Sequence, residues 1–227
     1  MATATSPAAD TRVLAAYRIG FGAVMLYSTL RFAANGWIAA FYIQPEYHFS
    51  YLGMGWVRPL PGDGMYWLFA LMAVCAAGVM LGGLYRPSII GFTAAFTYVE
   101  LIDKAFYLNH YYLVSVMGLI MVGLPLNRRW ALDSWLRPAL RAEFAPRWAL
   151  TALRVQIGIV YFYAGVAKLH GDWLIEALPL RLWLPARADL SVIGPLLEQR
   201  WVAYAFSWAG AAYDLTIPFW LTWRRSR

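Results

Sequence analysis

The chain has 227 residues, of which 61% are hydrophobic and only 14% charged, with a formal net charge of +7. A soluble domain of this size carries about 25% charged residues, so the composition excludes an ordinary water-soluble globular protein. In that setting the excess of cations points to lipid headgroups and membrane orientation, with no nucleic acid partner expected.

The first ten residues, MATATSPAAD, carry no basic region of the kind that opens a cleaved signal peptide, so the first apolar segment is expected to be an uncleaved span. Six spans are predicted, at about Arg12–Gly36, Met65–Tyr85, Pro87–Asp103, Phe106–Leu126, Trp148–Lys168 and Trp201–Trp223. Met65–Tyr85 runs for 21 residues and Ala105–Asn127 for 23 without Asp, Glu, Lys or Arg; a bilayer crossing needs roughly 20 apolar residues. The short third span either tilts or meets the fourth through a tight turn. The expected fold class is all-α, a polytopic transmembrane helix bundle of about six spans. It forms one domain over 12–227, after a tail at 1–11. Cys75 is the only cysteine, which excludes an internal disulfide; among Ala and Val it reads as a small buried apolar residue.

Lysine and arginine in the connections set the orientation. With the N-terminus cytoplasmic, the inner segments hold ten, including Arg128, Arg129, Arg224, Arg225 and Arg227, and the outer segments six, so the bias favours that topology. Two outer connections are long. One, NGWIAAFYIQPEYHFSYLGMGWVRPLPGDG, either lies at the interface or folds over the mouth of the bundle. The other, from Gly171 to Arg200, includes LPLRLWLPARADL and is expected to lie along the membrane surface.

In this topology His48, His110 and His170 all fall on the outer side, with Lys104 and Lys168, which makes the outer mouth the leading site. In IVYFYAGVAKLHGDWL an apolar helix ends at Lys168, followed by His170, Asp172 and Trp173. Burial disfavours an ammonium, so a desolvated lysine can act as a general base; the alternative is a lysine snorkelling to the headgroups with Trp173 in the interfacial belt. In ELIDKAFYLNHYYLV, Asp103, Lys104, Asn109, His110 and Tyr111 sit at the turn between spans three and four, either as site groups or as turn charges and belt aromatics. His48 caps the site or is structural. Arg18, Arg154 and Asp214 fall inside spans one, five and six, and are expected to pair as a structural network. No serine nucleophile elbow, phosphate loop or metal-ligand cluster appears, and no metal is expected.

The segments DKAFYLNHYYLV, YHFSYLGMGWVRPLPG, VYFYAGVAKLHGDWL and SWAGAAYDLTIPFWLTWRR occur in one order. Together they resemble the HTTM (horizontally transferred transmembrane) domain, the membrane domain of vitamin K-dependent gamma-glutamyl carboxylase and its bacterial relatives. The resemblance covers residues 10–227. It implies that Lys168 is the base that deprotonates reduced vitamin K, a menaquinol-type lipid quinol. It also implies that Asn109 and His110 are the asparagine–histidine pair, with the histidine serving carboxylation. Lys104, Asp103, Tyr111, His170, Asp172, Trp173 and His48 are the groups expected around the quinol. Where the carboxylases often have two adjacent lysines, the first is Ala167 here. The implied chemistry is epoxidation of the quinol coupled to carboxylation of protein glutamate, in a bacterial cytoplasmic membrane with the site facing outward. The carboxylases continue into further helices and a propeptide-binding domain with no counterpart in this sequence. A non-catalytic quinone- or lipid-binding subunit, or a scaffold beside another membrane subunit, is the alternative; a small transporter lacks the broken helix pair it would need.

Overall fold

The computed structural model describes residues 8–223. Arg224, Arg225 and Arg227, counted above among the inner cations, and the first seven residues of the tail lie outside the described residues. The chain is mostly helical. Six longer helices coincide with the six apolar segments: α1 (Thr11–Ala34), α2 (Gly64–Leu81), α3 (Tyr85–Ile102), α4 (Asn109–Gly123), and, after the short α5 (Leu132–Leu136), α6 (Arg147–Val166) and, last in the described chain, the helix Arg200–Thr222. Of these, α1, α2 and α6 are long and apolar enough to cross a membrane. α4, with 15 residues, rises only about 22 Å at 1.5 Å per residue, short of a hydrocarbon core of about 30 Å. Two compact units divide the chain, one ending at Leu150 and the other starting at Thr151.

In the first unit α1 packs on α2, α2 on α3 and α3 on α4. Small residues permit the close crossings. A Cβ at Gly22 of α1 would collide with the Met80 backbone of α2, and one at Gly118 of α4 with the Thr93 hydroxyl of α3. Such small-residue contacts suit a membrane bundle, where dispersion at short range replaces the hydrophobic drive. Phe69, Met72 and Cys75 of α2 and Phe92, Ala95 and Val99 of α3 form the core. The long connection after α1 opens with a π-helical turn, Ala39–Ile43, and drops Ile38, Tyr42 and Val57 into that same core. The Tyr98 hydroxyl donates to the Arg58 carbonyl (2.7 Å) and the Lys104 amide to that of Phe49 (2.9 Å), so this connection folds over the α3–α4 end. A 3-10 turn, Lys104–Phe106, joins α3 to α4. Strands β1 (Ala8–Asp10) and β2 (Phe144–Pro146) pair antiparallel with Ala9 opposite Ala145, and the Thr11 hydroxyl donates to the carbonyl of Ala142 (2.7 Å).

Arg18 of α1 is fully buried (0% exposed). Its guanidinium donates to four carbonyls: Val79 (2.7 Å) and Met80 at the end of α2, Leu126 (3.1 Å) and Trp130 in the α4–α5 connection. The last carbonyls of a helix have no partner within it, and the five donors of arginine answer several at once. This corrects the expected Arg18–Arg154–Asp214 network. Arg18 is satisfied by backbone, Asp214 pairs with Lys168, and Arg154 lies half-buried on α6 with no ion pair among the described residues.

The turn after α2 is built around the same point. Gly82 ends the helix in the left-handed region (φ +66°), a conformation that glycine adopts without steric cost. The Asp133 carboxylate of α5 then accepts from the amides of Leu84 (2.7 Å) and Tyr85 (3.0 Å) and from the Asn127 side chain (2.8 Å), capping the start of α3 from outside the helix. Burial pushes this carboxyl up, but the Tyr85 amide, Asn127 and Leu84 amide bonds outweigh it, and its pKa is held below the ordinary 3.8.

In the second unit α6 is followed by α7 (Gly171–Leu174), α8 (Leu178–Trp183) and α9 (Gly194–Leu197), and then by α10, the helix Arg200–Thr222. The three short helices all contact α10. The stretch expected to lie along the membrane is thus helical in part, with Leu182, Trp183 and Ile193 exposed. α6 meets α10 closely at Gly165, where a Cβ would press on Leu215, and at Gly158, which faces Pro218.

Replacing Arg18 by Met is expected to cost about 2–5 kcal/mol, because buried carbonyls lose their donors. Melting in detergent, followed by tryptophan fluorescence, measures this, and an unchanged melting temperature would refute the clamp. Asp133→Asn is expected to cost about 1 kcal/mol, as for a lost helix cap, but only where the carboxyl is ionised. A depressed pKa stabilises the fold above the ordinary 3.8 and the contribution is lost as pH falls through the folded value. The melting difference between wild type and variant should therefore shrink from pH 6 to pH 3; a constant gap would contradict it.

Candidate functional site

Lys168 lies two residues beyond α6, in the turn that leads to α7. Its ammonium pairs with the Asp214 carboxylate of α10. Side-chain exposures of 22% for Lys168 and 11% for Asp214 place the pair largely out of water. The Lys168 Nζ also stands 5.3 Å from the centre of the Trp173 ring, within range of a cation–π contact. Trp173 is itself fixed to α10: its indole N–H donates to the Ser207 carbonyl (3.1 Å) and the buried Ser207 hydroxyl donates to the Trp173 carbonyl (2.5 Å). Trp208 donates to the Leu174 carbonyl (2.8 Å). The turn after α6 is thereby laid along α10, and this brings the end of one apolar helix to the middle of another.

Pro218 lies inside α10. It has no N–H to offer the carbonyl four residues earlier, which is that of Asp214. The residue that receives Lys168 is thus also the one whose helical hydrogen bond is missing. Nearby, the Tyr161 ring of α6 meets the Tyr213 ring of α10 edge to face at 5.9 Å. An amine and a carboxylate largely out of water, with an indole beside them, are a pair between which a proton can move.

His170 and Asp172 are exposed. Their 3.9 Å approach, at half and three-quarters exposure, is a surface contact that adds little.

The residues of the α3–α4 turn belong to the first unit. Asp103 is buried, and its carboxylate accepts from the Ala105 amide (2.9 Å), capping the 3-10 turn. It lines a cavity with the polar residues Ser28, Thr29, Tyr42, Glu100 and Tyr111, between aromatic and apolar side chains of α1, α2 and α3 and Phe106. Lys104, Asn109 and His110 are exposed; His110 meets the Tyr111 ring at 4.7 Å but is not part of the cavity wall. His48 sits in the folded connection after α1, its Nε2 buried with no hydrogen-bond partner, in a separate pocket with Glu46 and Arg58.

Two residues escaped the sequence reading. Glu100 of α3 accepts from the Ser115 hydroxyl (2.7 Å), which in turn accepts from that of Thr97 (3.1 Å). A carboxylate inside the apolar run TYVELI, three residues before Asp103 and so on the same helix face, was the available signal. Tyr42 gave none, since one tyrosine in an aromatic loop looks like any other.

A family model described as the HTTM domain matches residues 7–227. No solved structure matches the chain.

The Lys168–Asp214 pair predicts a sign pattern in stability. Lys168→Ala or Asp214→Ala alone should each cost about 3–5 kcal/mol, since each strands a largely buried charge, whereas the double change to Leu should cost much less. Detergent melting of the four proteins gives the coupling; additive losses would show that the contact carries no energy.

Proposed function

The chain belongs to the HTTM domain family, and from that premise we propose a multi-pass membrane enzyme of the vitamin K-dependent carboxylase-like kind, oxidising a lipid quinol. The observation that carries this reading is the Lys168–Asp214 pair beside Trp173, an amine and a carboxylate able to move a proton in a dry setting. Reduced vitamin K or a menaquinol, when bound, supplies the oxidisable ring: quinol and dioxygen give epoxide and water. The protein's part is proton management. Asp214 takes the proton that leaves Lys168 Nζ, and the neutral amine then accepts one from a quinol hydroxyl. Trp173 keeps water from the amine.

His110 and Asn109 serve a second substrate on the outer side, a peptide glutamate to be carboxylated, with Lys104, His170, Asp172 and His48 as supporting groups. The same reading takes all six longer helices as spans, the N-terminus as cytoplasmic and the membrane as a bacterial cytoplasmic one. It leaves room for a further membrane subunit to present the peptide.

One observation favours the alternative, a non-catalytic quinone- or lipid-binding subunit: Lys168 already has a partner in Asp214, and an ion pair can be purely structural. Turnover separates the two. Protein in liposomes, given a naphthohydroquinone, dioxygen and bicarbonate, should form epoxide. Lys168→Ala should abolish it, and Asp214→Asn should lower it by about 10²-fold or more, the scale of a lost acid–base partner. Equal epoxide from wild type and Lys168→Ala would exclude the assigned role.

A further inference from the structure

The end of the first unit where α2 and α4 stop and α3 starts carries more positive charge than its own fold answers. Five arginines stand there: Arg86 on α3, and Arg128, Arg129, Arg137 and Arg141 between the end of α4 and β2. Arg128, Arg129 and Arg137 make no hydrogen bond or ion pair among the described residues. Arg86 reaches only the Gly123 carbonyl, at 3.5 Å. Arg141 donates through Nε to the Ser134 carbonyl (2.8 Å), which orients its guanidinium and leaves the Nη donors over.

These arginines line two pockets with α5 between them. The first holds Arg128, Arg129 and Arg141 beside Trp130 and Trp135, with Glu143 as its carboxylate. The second holds Arg86, Arg128 and Arg137 beside Leu84, Leu136 and Leu140, with Asp133 as its carboxylate. Arg128 belongs to both. The Asp133 carboxylate is already engaged by two amides and Asn127, and Asp10, which feels the charge of Arg129, is held by Arg12. Both pockets are built in advance. Arg18 holds the Trp130 carbonyl, and the Asp133 amide donates to the Gly82 carbonyl (2.9 Å). With α5 fixed in this way, little ordering cost falls on binding.

That inventory selects an anion with two charged groups. Guanidinium groups match phosphate oxygens with paired hydrogen bonds. A single phosphate would fill one pocket and leave the arginines of the other repelling each other. The surroundings select a lipid. Leu84, Trp135 and Leu136 stand exposed beside the arginines, at the ends of apolar helices. Bare tryptophan and leucine suit a membrane interface, and basic pockets between membrane helices suit phosphate headgroups. A water-soluble anion would leave these apolar side chains without a purpose.

We propose that the two pockets flanking α5 bind one phospholipid that carries two phosphodiesters joined by a short bridge. One phosphate sits in each pocket, Arg128 lies between them, and acyl chains run along Leu84, Leu136 and Leu140. Five arginines against two carboxylates leave the site positive for a lipid with two negative charges. None of these residues belongs to the set assigned to proton transfer, so the site does not depend on the quinol reading.

The test is native mass spectrometry of the full-length protein in detergent, titrated with cardiolipin, phosphatidylglycerol or phosphatidylcholine. Wild type is expected to bind one cardiolipin about tenfold or more tightly than phosphatidylglycerol, because the second phosphate binds within the same molecule. Arg128→Gln should weaken cardiolipin binding about tenfold or more, as for lost charge-assisted hydrogen bonds. Arg129→Gln and Arg137→Gln, one in each pocket, should bring cardiolipin down toward phosphatidylglycerol. Arg187→Gln, which removes an exposed arginine of the second unit, should leave it unchanged. Melting curves establish that all four variants are folded. Cardiolipin bound no more tightly than phosphatidylglycerol would overturn the two-phosphate assignment. An equal loss from Arg187→Gln would mean attachment by net charge without a site, and would overturn the proposal. Displacement of cardiolipin by inorganic diphosphate or a short oligonucleotide at comparable concentration would overturn a lipid as the occupant.

Discussion

Inside a hydrocarbon layer no water is at hand to satisfy a polar group, so each buried donor, acceptor and charge has to find its partner within the chain. In the first unit that constraint converges on Arg18. A guanidinium on an apolar helix would be intolerable alone. Here it gathers the carbonyls of Val79, Met80, Leu126 and Trp130 and so ties the end of α2 to the α4–α5 connection. The α2–α3 turn, with its left-handed residues at Gly82 and Leu84, and the left-handed Trp130 are held in place around it. Asp133 then caps the start of α3. Fixing that start fixes the rotation of α3, and with it the face that carries Glu100 to the cavity.

The second unit meets the same constraint with a charge pair instead of backbone. Lys168 cannot reach water freely and finds Asp214. Such a pair stabilises little relative to an apolar replacement and is costly to break, which makes it a device for position. The bonds between Trp173 and Ser207 serve that position too, since they bind the turn after α6 to α10. Pro218 leaves the Asp214 carbonyl without its helical donor, so the carboxylate stands at a locally weakened point of its helix.

The helices were legible because apolar length is a property of the sequence alone: α1, α2, α3, α6 and α10 begin and end within a few residues of the predicted spans. The partners of the buried charges were not. Arg18, Arg154 and Asp214 group by their places inside the apolar spans, where a charge is expected to find an opposite charge, and backbone carbonyls leave no trace in residue types. Lys168 was legible as a special residue, since a lysine ends an apolar helix. Its partner was not, because the turn after α6 folds back along α10 through bonds made by Trp173 and Ser207, and no periodicity announces that. Asp103 and Tyr111 stand at the two sides of one turn and line one cavity; His110 and Asn109 share the turn but are exposed. A turn turns its residues to different sides, which adjacency in sequence cannot resolve.

The two units set out their polar groups in different ways. The first places Glu100, Asp103, Tyr42 and Tyr111 around one cavity with aromatic faces; the second sets an amine against a carboxylate beside an indole. In both, groups held away from water are answered inside the chain: Asp103 by the Ala105 amide, Glu100 by the Ser115 hydroxyl and Asp214 by Lys168. Of these three only the last is an ion pair, so a substitution there changes charge as well as packing, whereas one at Ser115 changes hydrogen bonding alone.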